Sequence, residues 1–208
     1  MLEDVGRKGH WETVYRRKSA EEVSWHQSVP QPSLSLITGT GLERNTPILD
    51  VGGGASLLID HLLELGYTDL TILDVSGAAL EQARLRLGKD AEAVHWVETD
   101  VTQFKPGRRY GLWHDRAAFH FLIDNKDRQT YIETLKRALK AKGQVIISTF
   151  SPQGPRKCSG LDVVQYDREK MEGVLGPDFI LLEQQEDQHV TPGGSEQWFN
   201  YFRFQKIE

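Results

Sequence analysis

Asp50-Val51-Gly52-Gly53-Gly54 sets a carboxylate two residues ahead of three consecutive glycines. The run Ile48-Leu49-Asp50-Val51 before them reads as a strand and the residues after them as a helix. The turn therefore falls at the carboxyl end of a strand, where backbone without Cβ atoms can approach a ligand closely. A dinucleotide fingerprint would want glycine at 52, 54 and 57, but position 57 is Leu57, which obstructs the close helix packing that the third glycine permits. Asp50 would repel a pyrophosphate, yet can accept hydrogen bonds from an ammonium, directly or through water. The ligand implied is cationic at this end and carries no phosphate, which argues against a nicotinamide cofactor. A tight turn with no ligand is the plainer alternative.

Two further acids follow at strand-end positions. Asp74, with Val75 beside it, closes Leu70-Thr71-Ile72-Leu73 about one βα unit after the glycines, where a carboxylate can take both hydroxyls of a ribose. Its other use is to cap a helix together with Ser76. Glu98-Thr99-Asp100-Val101 ends the next apolar run and offers an acceptor for an exocyclic amine beside an apolar contact, as an adenine needs. Three successive strand ends thus match an amino-acid cation, a ribose and an adenine.

Positioning such a row requires alternating strands and helices, and the chain supplies them. Candidate strands run over Pro47–Val51, Asp69–Asp74, Ala93–Glu98, Tyr110–His114 and Gln144–Phe150. Leu57, Leu58, His61, Leu62 and Leu65 recur at helical spacing before Gly66, and Ala79, Leu80, Ala83 and Leu87 do so before Gly88. Asp127 to Ala141 predicts a further helix ending in Lys140, Lys142 and Gly143. Phe179–Glu186 and Gln197–Lys206, joined by Thr191-Pro192-Gly193-Gly194, read as an antiparallel hairpin. Ser151 to Gly160 reads as an irregular loop able to cover a site.

With 208 residues the chain fits one domain, and a net charge of -5 supplies no basic surface for nonspecific nucleic-acid binding, which is not expected. The single cysteine, Cys158, forms no internal disulfide and no two-cysteine metal spacing, so no metal is expected and Cys158 is given no role. Met1 to Lys8 lacks an apolar stretch of leader length, and no run approaches 18 apolar residues. A soluble cytoplasmic protein, monomer or weak homodimer, is the expectation.

The acidic-x-Gly-x-Gly turn and the acidic ends of the second and third strands resemble, in order and spacing, the class I S-adenosylmethionine-dependent methyltransferases. The resemblance covers roughly residues 45 to 206 and implies a Rossmann-like, doubly wound α/β fold: a mostly parallel seven-stranded sheet with its antiparallel C-terminal hairpin. It implies one methyltransferase domain over 1–208, with a helical cover over 1–45 and the core over 46–208. It also implies S-adenosyl-L-methionine as cofactor, on Asp50, Gly52, Gly53, Gly54, Asp74, Val75, Asp100 and Val101. The mouth of the fourth strand, which holds Asp115, Arg116 and His120, would then face both cofactor and acceptor. His120 is expected as a base, against a core-satisfied histidine, and Asp115 as a positioning group that also touches cofactor. Arg116 is expected to fork onto a carboxylate, against pairing with Asp124. Trp11-x-x-x-Tyr15 with Trp25-His26-Gln27, together with Asp115-Arg116-Ala117-Ala118, is similar to thiopurine methyltransferase-like members, and the Trp-x-x-x-Tyr opening also to small lysine methyltransferases. That likeness implies that Trp11, Tyr15 and Trp25 close over the cofactor, rather than only anchoring the segment. The acceptor is a small molecule or a protein side chain with N, O or S open, and a noncatalytic methyltransferase-like cofactor- or partner-binding module is the alternative.

Overall fold

The computed structural model describes residues 6–208; residues 1–5, on which part of the leader reading falls, lie outside the described residues. Helices α1 (Arg7–Arg17) and α2 (Gln31–Thr38) precede the alternating core of β1 (Ile48–Val51), α3 (Leu58–Glu64), β2 (Leu70–Asp74), α4 (Gly77–Leu87), β3 (Val94–Glu98), β4 (Tyr110–Arg116), α5 (Asn125–Ala138) and β5 (Leu139–Phe150). A two-stranded ribbon, β6 (Lys157–Cys158) and β7 (Leu161–Asp162), leads to α6 (Arg168–Leu175) and the long strands β8 (Phe179–Val190) and β9 (Glu196–Lys206). The seven-stranded sheet has the order β3-β2-β1-β4-β5-β9-β8, with β1 to β5 parallel and β9 antiparallel to both of its neighbours. The expected fold is the one observed. The strand order reverses between β1 and β4, and that reversal opens a crevice at the carboxyl edge.

Strand alternation divides the core in two. Leu49, Leu73, Trp113, Val145, Ile147 and Phe202 pack with α5 and α6 residues such as Tyr131, Leu135 and Met171. Their neighbours Ile48, Ile72, Leu112, Ile146 and Tyr201 pack on the other face with Ile37, Leu58, Leu62 and Leu80 of α2, α3 and α4. Burial on both faces explains why β1, β2 and β4 are continuous apolar runs rather than alternating ones.

The structure differs from expectation in three places. The helix predicted to run to Ala141 stops at Ala138, because Leu139 turns extended (φ -87°, ψ 138°) and pairs with Tyr110, so β5 begins five residues before Gln144. The run Lys140-Ala-Lys142 crosses a register irregularity in which Lys142 takes φ 57°, a bulge without apolar periodicity to announce it. Ser151 to Gly160 is not wholly irregular, since Lys157 and Cys158 pair with Asp162 and Leu161. Among the described residues no helix is long and apolar enough to cross a membrane.

Candidate active site

One cleft at the carboxyl edge holds about 1020 Å³ of empty space out to the solvent front. Its wall changes character along the sheet. Beneath β1, β2 and β3 it presents Asp50, Asp74 and Asp100, and beneath β4, β5 and β9 it presents Arg116, Phe121, Phe150 and Phe199.

The glycine turn explains how the acidic half is built. Gly52 adopts φ +67°, and a Cβ there would stand 2.6 Å from the Cβ of Ala118, so backbone replaces side chain where the loop after β4 crosses. A Cβ on Gly53 would stand 2.4 Å from Asp50 Oδ2. The turn thus folds back over the carboxylate, leaving no room for any other residue at 53. Gly54 does not line the cleft; it lies beneath, where a Cβ would meet Asp74 Oδ2 at 2.9 Å and the Tyr15 hydroxyl at 3.1 Å.

The three carboxylates differ in how much of their capacity is used. Asp50 Oδ1 binds His114 Nδ1 at 2.6 Å, and Asp74 Oδ1 accepts from the Ser76 N–H at 2.8 Å. Among the described residues the second oxygen of each takes no hydrogen bond. Asp100 is more engaged, with Oδ1 accepting from the N–H and hydroxyl of Thr102 and Oδ2 from Arg7 Nη1 at 2.6 Å. Burial pushes the Asp74 carboxyl up to about 7, and the nearby Asp50 charge adds to the rise. A cationic ligand is what relieves such a group.

Alternation determines which residues of β4 reach the cleft. Asp50 and His114 are register partners on adjacent strands, both on the face of Ile48 and Leu112, and the buried His114 bridges Asp50 to the Ser33 hydroxyl of α2 at 2.8 Å. Arg116, two residues on, shares that face and also lines the cleft. Asp115 falls on the opposite face with Trp113. It is fully buried there, accepting from the Tyr131 hydroxyl at 2.7 Å and from the N–H groups of Ala118 and Phe119. Burial raises its carboxyl to about 6. Asp115 therefore holds the turn after β4 and does not meet the cleft, contrary to both roles expected of it.

His120 is likewise not where a base was expected. It sits fully buried in the 3₁₀ turn Phe119–Phe121, 4.8 Å from the Phe150 ring by centroids, with Nδ1 accepting from the Phe150 N–H at 3.4 Å. Burial pushes its imidazole down to about 3, and it is not among the residues that line the cleft. It is a buried core histidine, although its Nε2 has no hydrogen-bond partner among the described residues. His114, which sequence reasoning passed over, occupies the cleft instead. The signal was available, since Leu112 and Trp113 fix the parity of β4.

Arg116 does not pair with Asp124. Its Nη1 donates to Gln27 Oε1 at 2.5 Å and its Nη2 to the Trp25 carbonyl at 2.8 Å, so it ties down the segment between α1 and α2. Ala117 follows in a left-handed conformation (φ 68°), with its N–H donating to Ser148 O, which turns the chain sharply away from the strand.

Trp11, Tyr15 and Trp25 all line the cleft, with Trp11 edge-on to both Trp25 (5.7 Å) and Phe121 (5.0 Å). Polar anchors fix α1 in this place: Arg7 joins Asp100 to Asp127, Glu12 Oε1 accepts from the N–H of Gly77 at the start of α4, and Gln82 donates to the Tyr15 carbonyl. Val75 and Val101 add apolar surface beside Asp74 and Asp100.

A family described as methyltransferase domain matches residues 48–143. The eEF1A lysine and N-terminal methyltransferase of Bos taurus is 20% identical over 144 residues, which are 69% of this chain and 20% of that protein. The chain thus spans about a fifth of the length of that relative. The structure of a SAM-dependent methyltransferase from Anabaena variabilis superposes with a TM-score of 0.75 at 16% identity, covering 98% of this chain and 96% of that one. The N-methyltransferase NodS from Bradyrhizobium japonicum, in complex with S-adenosyl-L-homocysteine, superposes with a TM-score of 0.70 at 18% identity, covering 95% and 98%.

Proposed function

From the premise that the chain belongs to the class I S-adenosylmethionine-dependent methyltransferases, we propose that it binds S-adenosylmethionine along β1 to β3 and transfers the methyl group to a small molecule or protein side chain. The observation that carries this reading is the row of Asp50, Asp74 and Asp100 on one wall of one cleft, with an unused oxygen on each of the first two. The donor set fits the group: Asp50 an ammonium, Asp74 a ribose diol, Asp100 with Val101 an adenine edge. Bound there, S-adenosylmethionine supplies a methyl group on a positively charged sulfur. The chain's own share is alignment and exclusion of water, since an in-line displacement gains most from holding donor and acceptor at near-attack distance. Trp11, Tyr15 and Trp25 cover the cleft from α1 and the segment after it.

His114 acts here as a positioning residue that keeps Asp50 turned to the cleft. His114→Gln is expected to weaken cofactor binding by about 1 kcal/mol, roughly fivefold, through loss of that anchor. Unchanged affinity in a calorimetric titration would remove the role.

Asp74 gives the reading a signature in protons. With its carboxyl raised to about 7, part of the free protein holds a proton there near neutrality, and a cationic, hydroxyl-donating ligand favours the carboxylate. Binding is expected to release protons, and affinity to rise between about pH 6 and 8. Titrations with S-adenosylmethionine in phosphate and in Tris test this, because the released protons make the measured enthalpy depend on the buffer. Equal enthalpies and a flat pH profile would sink the assignment of Asp74, and no binding at all the whole reading.

A further inference from the structure

The half of the cleft away from the three carboxylates is built from different chemistry. Phe121, Phe150 and Phe199 line it together with Trp25, and the Phe150 and Phe199 rings lie 4.7 Å apart by centroids. Its one formal charge is Arg116, only partly buried, whose contacts are neutral oxygens: Gln27 Oε1, the Trp25 carbonyl and the nearby Tyr201 hydroxyl. Arg7, the other arginine of the cleft, is answered by Asp100 and Asp127, whereas Arg116 forms no ion pair among the described residues. Asp187, whose charge is felt at His189 and Tyr201, does not pair with it. The cation's field also reaches Tyr15, His189 and Tyr201.

Among the described residues lining this half, none presents a free base to an acceptor. Both ring nitrogens of His114 are spent on Asp50 and Ser33. Burial pushes the Cys158 thiol up to about 11 and raises the Tyr15 hydroxyl further above its usual range. His120 is sealed in the core. An alkylammonium, with an ordinary value near 10.4, would enter protonated, meet an unpaired cation and find no base, whereas a carboxylate is already ionised at neutrality.

Resting on the methyltransferase reading above, we propose that the acceptor is an apolar or aromatic small molecule that arrives as an anion, a carboxylate or thiolate, held at Arg116 between Trp25, Phe121, Phe150 and Phe199. A lone pair on the anionic oxygen or sulfur forms the bond to the methyl carbon while the carbon–sulfonium bond breaks, and that bond's electron pair stays on the donor sulfur. The products are a methyl ester or thioether and S-adenosylhomocysteine. The acceptor's negative charge and the donor's positive charge both vanish, and no proton has to move. The aromatic walls favour a small molecule, because a protein side-chain carboxylate brings little apolar surface to bury against them.

The test uses the protein saturated with S-adenosylhomocysteine and titrated with phenylacetate, thiophenol and benzylamine. At least one anionic probe is expected to bind about tenfold or more tightly than benzylamine, with Arg116→Gln abolishing the preference and Arg116→Lys keeping most of it. Labelled methyl then tells the two sources apart, appearing as the ester or as the thioether. S-adenosylhomocysteine affinity of each variant reports whether the site is still folded. If S-adenosylhomocysteine binds but the probes show equal or reversed preference, or none of the anions binds, the anionic acceptor is overturned and the cofactor reading stands. If S-adenosylhomocysteine does not bind, both fall.

Discussion

Asp74→Ala is expected to weaken S-adenosylmethionine binding by about 1.5–3 kcal/mol, or roughly 10- to 100-fold, the cost of losing charge-assisted hydrogen bonds from two hydroxyls. The same position gives an opposite effect on the free protein. A carboxyl raised in the folded state to about 7, against roughly 3.9 unfolded, adds stability that is whole below about pH 4 and is lost as pH climbs through 7. At pH 8 the free fold therefore carries an ionised, desolvated carboxylate 6% exposed. Asp74→Asn, which keeps an acceptor for the Ser76 N–H, should raise the melting temperature of the cofactor-free protein at pH 8 and lower its cofactor affinity. Thermal scans at pH 5 and 8 with and without S-adenosylmethionine read both effects. A variant that bound cofactor normally, or was destabilised at both pH values, would show that Asp74 is structural.

The largest loss of stability is expected at Trp113. Its indole is completely buried at the middle of β4, stands 5.4 Å from the Tyr131 ring by centroids, and donates from Nε1 to the Tyr131 hydroxyl at 2.8 Å. That hydroxyl donates in turn to Asp115. Trp113→Ala opens a cavity between the sheet and α5 and is expected to cost about 3–5 kcal/mol. Trp113→Phe, which fills most of the space but leaves the tyrosine oxygen without its donor, should cost about 1–2 kcal/mol. Urea unfolding followed by fluorescence and circular dichroism measures both from the shift in midpoint. An alanine variant losing under about 1 kcal/mol would mean that the site collapses around the gap and that the chain through Tyr131 to Asp115 carries little.

Which parts of this molecule could be read from sequence follows from the range of the forces involved. The sheet was legible because its strands are buried on both faces and so appear as unbroken apolar runs, Ile48 to Val51 and Leu70 to Leu73 among them. Its acidic row was legible because each aspartate stands at or within two residues of the end of such a run. Leu139 was misread because its helical spacing was real, and only the pairing with Tyr110, 29 residues earlier, draws it into β5. Asp115 and His120 were placed near the cleft correctly as segments and wrongly as side chains. Alternation sends Asp115 to α5, and a single 3₁₀ turn rolls His120 inward. Ser33 and Gln27, which orient His114 and Arg116, lie 81 and 89 residues from them. No local pattern announces a contact of that range.

The anchors of α1 have a kinetic consequence. Arg7 reaches Asp100 and Asp127, Glu12 caps α4, and Gln82 holds the helix by its carbonyl end, while Trp11 lies edge-on to Phe121. On the proposed function, a nucleoside on Asp74 and Asp100 would lie beside this helix, and its exit would disturb several of these contacts. On the same proposed function, exchange of spent for fresh methyl donor is expected to be the slow event of each cycle. A first turnover faster than all that follow, and a steady rate that slows with solvent viscosity and quickens with added salt, would be its trace.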